Sequence, residues 1–248
     1  MKGEIVNEKT SQPILNLPRV VTAAILCLVA IHIGRTLLMT PAQLGIFDFR
    51  FSFNPLRLTN ELDVFPYTGP IDTAISFLSY SFLHGDWGHL IVNSLWLAIF
   101  GAAIARRFGN TRFLIFCIGA SIAGALAHWL AYVDQNAPMV GASAIVSGSM
   151  AAACRFVFNQ GGPLALARQD DIEAYKQPAT PLLEVFRGPA AGFIAVWFVI
   201  NLLVGTDYVS FGDGSGAIAW QAHIGGFVFG LGLFSIFDPK HRKIHDEV

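Results

Sequence analysis

Three short stretches carry residues able to do chemistry although apolar sequence surrounds them: HGDWGHLIVN from His84 to Asn93, GASAIVSGSM from Gly141 to Met150, and WQAHIGGFVFG from Trp220 to Gly230. In the second, Ser143 falls in the first turn of a predicted helix. Free backbone N–H groups and the helix dipole there favour developing negative charge, so a serine can be both a nucleophile and part of an oxyanion site. In the first, His89 and Asn93 are four residues apart and share one helix face. Each can donate to an oxygen, through an amide or through whichever ring nitrogen carries hydrogen, as an oxyanion hole requires. In the third, His223 lies a few residues into the last helix, where a histidine beside a serine makes an activated nucleophile.

Each stretch also has a plainer reading. Serine at a helix start is a common cap, and Ala144, Gly148 and Ala152 make a small-residue packing stripe, as do Ser143, Ser147 and Ala151. Histidine and asparagine bond across helices in membranes. The conjunction favours chemistry: a serine, a histidine and two further donors fall on separate helices at similar depth, on one side of the bundle. Gly226 and Gly230 form a GxxxG stripe that permits close approach to the small-residue stripe around Ser143, and that contact would bring His223 to the depth of the serine.

The helices that hold these residues are membrane helices. Of 248 residues, 54% are hydrophobic and 13% charged, about half the charged share of a soluble domain. A span needs about 20 mostly apolar residues, with about 17 as a floor. Six segments meet or approach this: 20–38, 90–105, 113–133, 142–158, 189–204 and 219–237. The expected fold is an all-α membrane bundle of six spans, with a polar segment 1–19, a membrane domain 20–237 and a tail 238–248. The first loop, 40–88, is long enough to fold on or into the membrane surface. Phe229 reads as lipid-facing.

Thirteen of the 16 Lys and Arg residues fall on the side of both termini, leaving Arg35, Arg50 and Arg57 opposite. Basic loops resist translocation, so both termini are expected in the cytoplasm, with a bacterial inner (plasma) membrane as the setting. The N-terminal residues lack the short apolar core of a signal peptide. The net charge of -1 says nothing about nucleic acid, and no basic tract suggests it, so no nucleic-acid partner is expected. Cys27, Cys117 and Cys154 form no CxxC pair and read as buried small hydrophobes, so no metal site is expected.

From Ser79 to Phe237 these residues resemble the rhomboid family of intramembrane serine proteases. The histidine, then H-x-x-x-N, of that family matches His84, then His89 and Asn93. Its GxSG-type motif matches Gly141, Ala142, Ser143 and Ala144, and its AHxxGxxxG motif matches Ala222, His223, Gly226 and Gly230. The resemblance implies Ser143 as nucleophile and His223 as general base. His89, Asn93 and the Ser143 backbone would form the oxyanion site, with His84, Gly141, Gly148, Gly226 and Gly230 in packing roles. It implies substrates that are membrane-spanning segments of other proteins in the lipid bilayer, unwound near their outer ends, and no cofactor.

Two departures stand out. Ala144 replaces the usual glycine after the nucleophile. Ser147 stands where an aromatic residue often packs on the histidine, so a hydrogen bond from Ser147 could orient the His223 ring instead. Ser147 as nucleophile is disfavoured, because it starts a turn deeper and has no glycine two residues before it. No aspartate is needed to complete a triad, and none is expected at the right depth. The rival is a non-catalytic rhomboid-like protein that binds membrane clients, with Ala144 its main support. A transporter or channel would predict charges at the midplane, which the spans lack.

Overall fold

The structure, a computed structural model, describes residues 16–59, 69–164, 172–205 and 219–239. Most of the polar N-terminal segment, the middle of the first loop and most of the tail lie outside the described residues.

All nine α-helices among the described residues sit in one bundle: α1 (Arg19–Leu38), α2 (Pro41–Phe51), α3 (Pro70–Ser79), α4 (Trp87–Trp96), α5 (Ala102–Phe108), α6 (Asn110–Ala131), α7 (Ser143–Ala153), α8 (Ala190–Gly205) and α9 (Trp220–Phe237). A π-helical turn, Leu97–Gly101, joins α4 to α5 into one continuous rod. Among the described residues there is no strand, only an isolated antiparallel bridge between Phe53 and Met139.

Among the described residues, four helical segments are long and apolar enough to cross a membrane: Arg19–Leu38, Trp87–Phe108, Asn110–Ala131 and Trp220–Phe237. The expected fourth and fifth spans are shorter. α7 has 11 residues, about 16 Å at 1.5 Å per residue against a hydrocarbon core of about 30 Å. The expected span 142–158 is therefore a helix only to Ala153, followed by turns. This is tolerable because α7 is enclosed by protein: Ala144 and every residue from Val146 to Ala153 is buried. Irregular backbone at membrane depth survives where protein covers it.

Small side chains let the central helices meet backbone to backbone. A Cβ on Gly226 would overlap the Ala144 carbonyl, and one on Gly230 would overlap the Gly148 carbonyl. The neighbouring Gly225 does the same for α6, where a Cβ would overlap the Ala123 carbonyl oxygen. Consecutive glycines on α9 thus serve two partner helices. Phe229 continues the α6 contact, lying over Gly119 with its ring 5.5 Å from that of Phe116. It is a packing residue and not the lipid-facing one its place in the sequence suggests. Val228, 62% exposed, faces outward.

The long first loop is largely helical. Thr40 caps α2 in a capping box with Gln43, and Pro41 supplies the fixed φ of the first turn. At the start of α3, Pro70 does the same and the Asp72 carboxylate accepts from the Gly69 N–H at 3.0 Å. Two of the arginines on this side are ion-paired, Arg35 with Asp48 and Arg50 with Asp72. At the opposite end the buried Arg107–Asp238 pair, 2.7 Å apart, ties α5 to the end of α9. Arg107 Nη1 also donates to the Tyr175 and Gln177 carbonyls, and such completeness is what makes a buried charge tolerable. Of the three free cysteines, Cys154 is buried while Cys27 is exposed on α1, against expectation.

Candidate active site

The N-terminal ends of α4, α7 and α9 and the C-terminal end of α8 meet at one end of the bundle. α4 begins there because the Asp86 carboxylate accepts from the His89 backbone N–H at 2.9 Å, an N-cap that fixes the residue to which the imidazole is attached. One turn on, Asn93 is buried, and its Nδ2 has no protein partner among the described residues.

Both side chains converge on Gly141. A Cβ there would lie 2.7 Å from His89 Nε2 and Cε1 and 3.6 Å from Asn93 Nδ2. Gly141 also has φ +124, a conformation that excludes ordinary side chains. Glycine is thus required twice over, by space and by backbone. Its N–H donates to the Tyr80 carbonyl at 2.9 Å, which holds the turn in place two residues before Ser143. Tyr80 is buried, and burial pushes its phenol above the usual range, so its hydroxyl stays a donor, to the Ser121 carbonyl at 2.8 Å.

Ser143 is the first residue of α7 and is half-buried. Its neighbour Ala144 carries the carbonyl that seats Gly226, and Gly226 is three residues after His223. The backbone contact therefore lies within one turn of both members of the expected dyad. The Ala144 methyl faces α6 at Gly124, where a Cβ on the glycine would come 2.5 Å from it. A missing side chain on α6 leaves room for the extra one on α7.

His223 Nδ1 lies 2.6 Å from Asn201 Oδ1 on α8, and Asn201 Nδ2 donates to the Trp197 carbonyl one turn back at 2.8 Å. The ring's hydrogen-bond partner is thus the neutral amide of Asn201 rather than Ser147.

His84 supports the group from behind. Its ring meets that of His89 edge-on at 5.1 Å, and its carbonyl accepts from the buried Arg35 at 2.7 Å. Burial first, then the nearby His89, His32 and Arg35, pushes the His84 imidazole down to about 3, so it stays neutral at ordinary pH. Among the described residues no cluster of His, Cys, Asp or Glu has the makings of a metal site.

Asn201, Asp86, Tyr80 and Arg35 were not marked as site residues in the sequence. Asp86 was legible, as an aspartate three residues before His89 at a helix start. Asn201 offered a weaker signal, an amide in an otherwise apolar helix.

The Rhomboid domain model matches residues 72–239. The chain is also similar to RHOMBOID-like protein 12, mitochondrial, of Arabidopsis thaliana, with 28% identity over 188 residues, 73% of this chain and 50% of that protein. It is similar to Rhomboid-like protein 11, chloroplastic, of the same plant, with 33% identity over 75 residues, 30% of this chain and 26% of that protein. The chain thus spans half or less of the length of these relatives. Their names place them in organelles, so neither lends support to a bacterial inner membrane. What stands is an integral membrane protein.

Proposed function

The chain belongs to the rhomboid family, and we propose that it is an intramembrane serine endopeptidase that cuts transmembrane segments of other membrane proteins. The observation that carries the reading is the convergence of His89 and the unpartnered Asn93 amide on Gly141, just before Ser143. Buried donors without partners are costly. A site that must bind a transient oxyanion is a physical reason to keep one.

In this reading Ser143 Oγ attacks the scissile carbonyl, and its proton passes to His223 Nε2. Negative charge on the carbonyl oxygen is met by Asn93 Nδ2, the His89 ring and the N–H groups at the start of α7. His223 then returns the proton to the leaving amine. Water, activated by the same nitrogen, hydrolyses the acyl-enzyme. The substrate must be extended where it is cut, because carbonyls within a helix are already hydrogen-bonded. The basic bias puts both termini on the side opposite the site.

The rival, a non-catalytic client binder, leans on Ala144. The room that Gly124 leaves for that methyl supports the catalytic reading instead. The test is labelling of the purified protein by a fluorophosphonate probe. Labelling that disappears in Ser143→Ala is expected; no labelling, or labelling that survives the substitution, overturns the proposal.

A further inference from the structure

We infer that Asn201 is a positioning residue that sets the tautomer and orientation of His223, so that α8 supplies a working part of the site. This rests on the dyad reading above. The carbonyl of Trp197 can only accept, so the Asn201 atom that meets it at 2.8 Å is the amide NH2. The oxygen is thereby left facing the imidazole, 2.6 Å from Nδ1. A carbonyl oxygen at that distance requires a donor, because the other tautomer would set two lone pairs against each other. Nδ1 therefore carries the hydrogen, and Nε2 keeps the lone pair that a general base needs.

The amide is held on both sides. Asn201 is 8% exposed and is the only amide or charged side chain in α8, whose neighbouring residues Ile200, Leu202 and Leu203 are exposed and apolar. Trp197, which accepts from the amide, stacks on Phe227 of α9 with ring centroids 4.6 Å apart. The register of α8 against α9 is thereby fixed one turn from the hydrogen bond. A neutral acceptor orients the ring without burying a charge. The titratable group close enough to act on His223 through its charge is His89 of α4.

A bond that merely glued α8 to α9 would have the same geometry but different consequences. Asn201→Leu keeps the size and removes the acceptor. Asn201→Asp keeps the acceptor and adds a charge. Both are compared with the full-length wild type on a model transmembrane substrate across pH. The leucine variant is expected to lose about 10- to 100-fold in kcat with little change in KM, less than the roughly 10⁴ seen where a wrong tautomer is enforced. The aspartate variant is expected to recover part of that loss. Its pH profile should also have the acid limb displaced to higher pH, because a carboxylate favours the imidazolium. Nitrogen-15 spectra of the ring in Ser143→Ala protein should give a His223 protonated at Nδ1, and a changed tautomer mixture after Asn201→Leu is added. Wild-type kcat in both variants overturns the inference. So does a loss that follows melting temperature with the acid limb unmoved, or a His223 ring protonated at Nε2 in the Ser143→Ala protein that keeps Asn201. If the wild type neither cuts substrate nor takes the fluorophosphonate, it is the protease reading that falls; the ring spectra still decide whether Asn201 fixes the tautomer.

Discussion

Gly226 of α9 lies against the carbonyl of Ala144 so closely that a single added carbon would overlap it. Because Ala144 follows Ser143 and Gly226 is three residues from His223, this seam sets the separation of the expected dyad. Gly226→Val should therefore lower both activity and melting temperature, since displacement of about 1 Å can cost about a hundredfold in rate. Val228→Ala on the exposed face of the same helix should be mild in both measurements. Equal effects from the two would remove the seam from the account.

Asn93 should separate chemistry from folding. Its Nδ2 is buried with no protein partner among the described residues, so Asn93→Ala forfeits little that holds the fold. Losing one oxyanion donor costs about 10²–10³ in kcat. Turnover should fall by that order while the melting temperature stays level. A fall in activity that merely tracks unfolding would return Asn93 to a packing role.

Two of the three serines of α7 could face the site and they differ in depth: Ser143 is half-buried at the helix start, whereas Ser147 is 3% exposed. Ser143→Ala should abolish cleavage of a model substrate. Ser147→Ala should leave much of it, because the hydrogen-bond partner of the His223 ring is the Asn201 carbonyl oxygen. The reverse ranking would reassign the nucleophile.

Four of the expected spans and the three motif stretches were legible because membrane burial writes long apolar runs, and polar residues stand out within them. What the pattern concealed came from enclosure. α7 could stop at Ala153 only because other helices cover it, and sequence hydropathy does not distinguish lipid from protein as the apolar neighbour. For the same reason Phe229 passed for a lipid-facing residue. Asn201 was hidden by distance: it lies 22 residues from His223, and nothing local to α8 says which helix its amide meets. Helices α2 and α3 were masked by the turn residues that begin them, since Pro41 and Gly69-Pro70 read equally as loop and as first-turn signals.

His84 makes the fold acid-sensitive in a defined window. Its imidazole is pushed from 6.5 down to about 3, chiefly by burial. Above about 6.5 the group is neutral in both folded and unfolded chains, and its contribution to stability is complete. As pH falls from there toward about 3, the unfolded chain takes up a proton that the folded one does not, and stability is lost at up to about 1.4 kcal/mol per pH unit. His84→Phe removes that titration at similar bulk. Thermal melts in detergent between pH 8 and pH 4 should show the wild type losing more stability on acidification than the variant. Parallel curves would mean that another group governs the acid limb.

Ala144→Gly tests whether the departure from the usual family residue is a defect. If the methyl crowded the site, removing it should speed cleavage. The structure argues otherwise, because the methyl fills space left by Gly124 on α6, next to the Tyr80 hydroxyl, and Ala144 is fully buried. Glycine there would open a small void and loosen the first turn of α7, at a cost of about 1 kcal/mol from helix propensity alone, with the lost packing added. The expected result is a lower melting temperature and a cleavage rate equal to or below that of the natural chain. The paired variant Gly124→Ala/Ala144→Gly should not recover the stability, because a Cβ at 124 still meets the Tyr80 hydroxyl at 2.8 Å and the Ala222 carbonyl at 3.1 Å. A single glycine variant that cleaves faster without losing stability would show that Ala144 strains the nucleophile's turn.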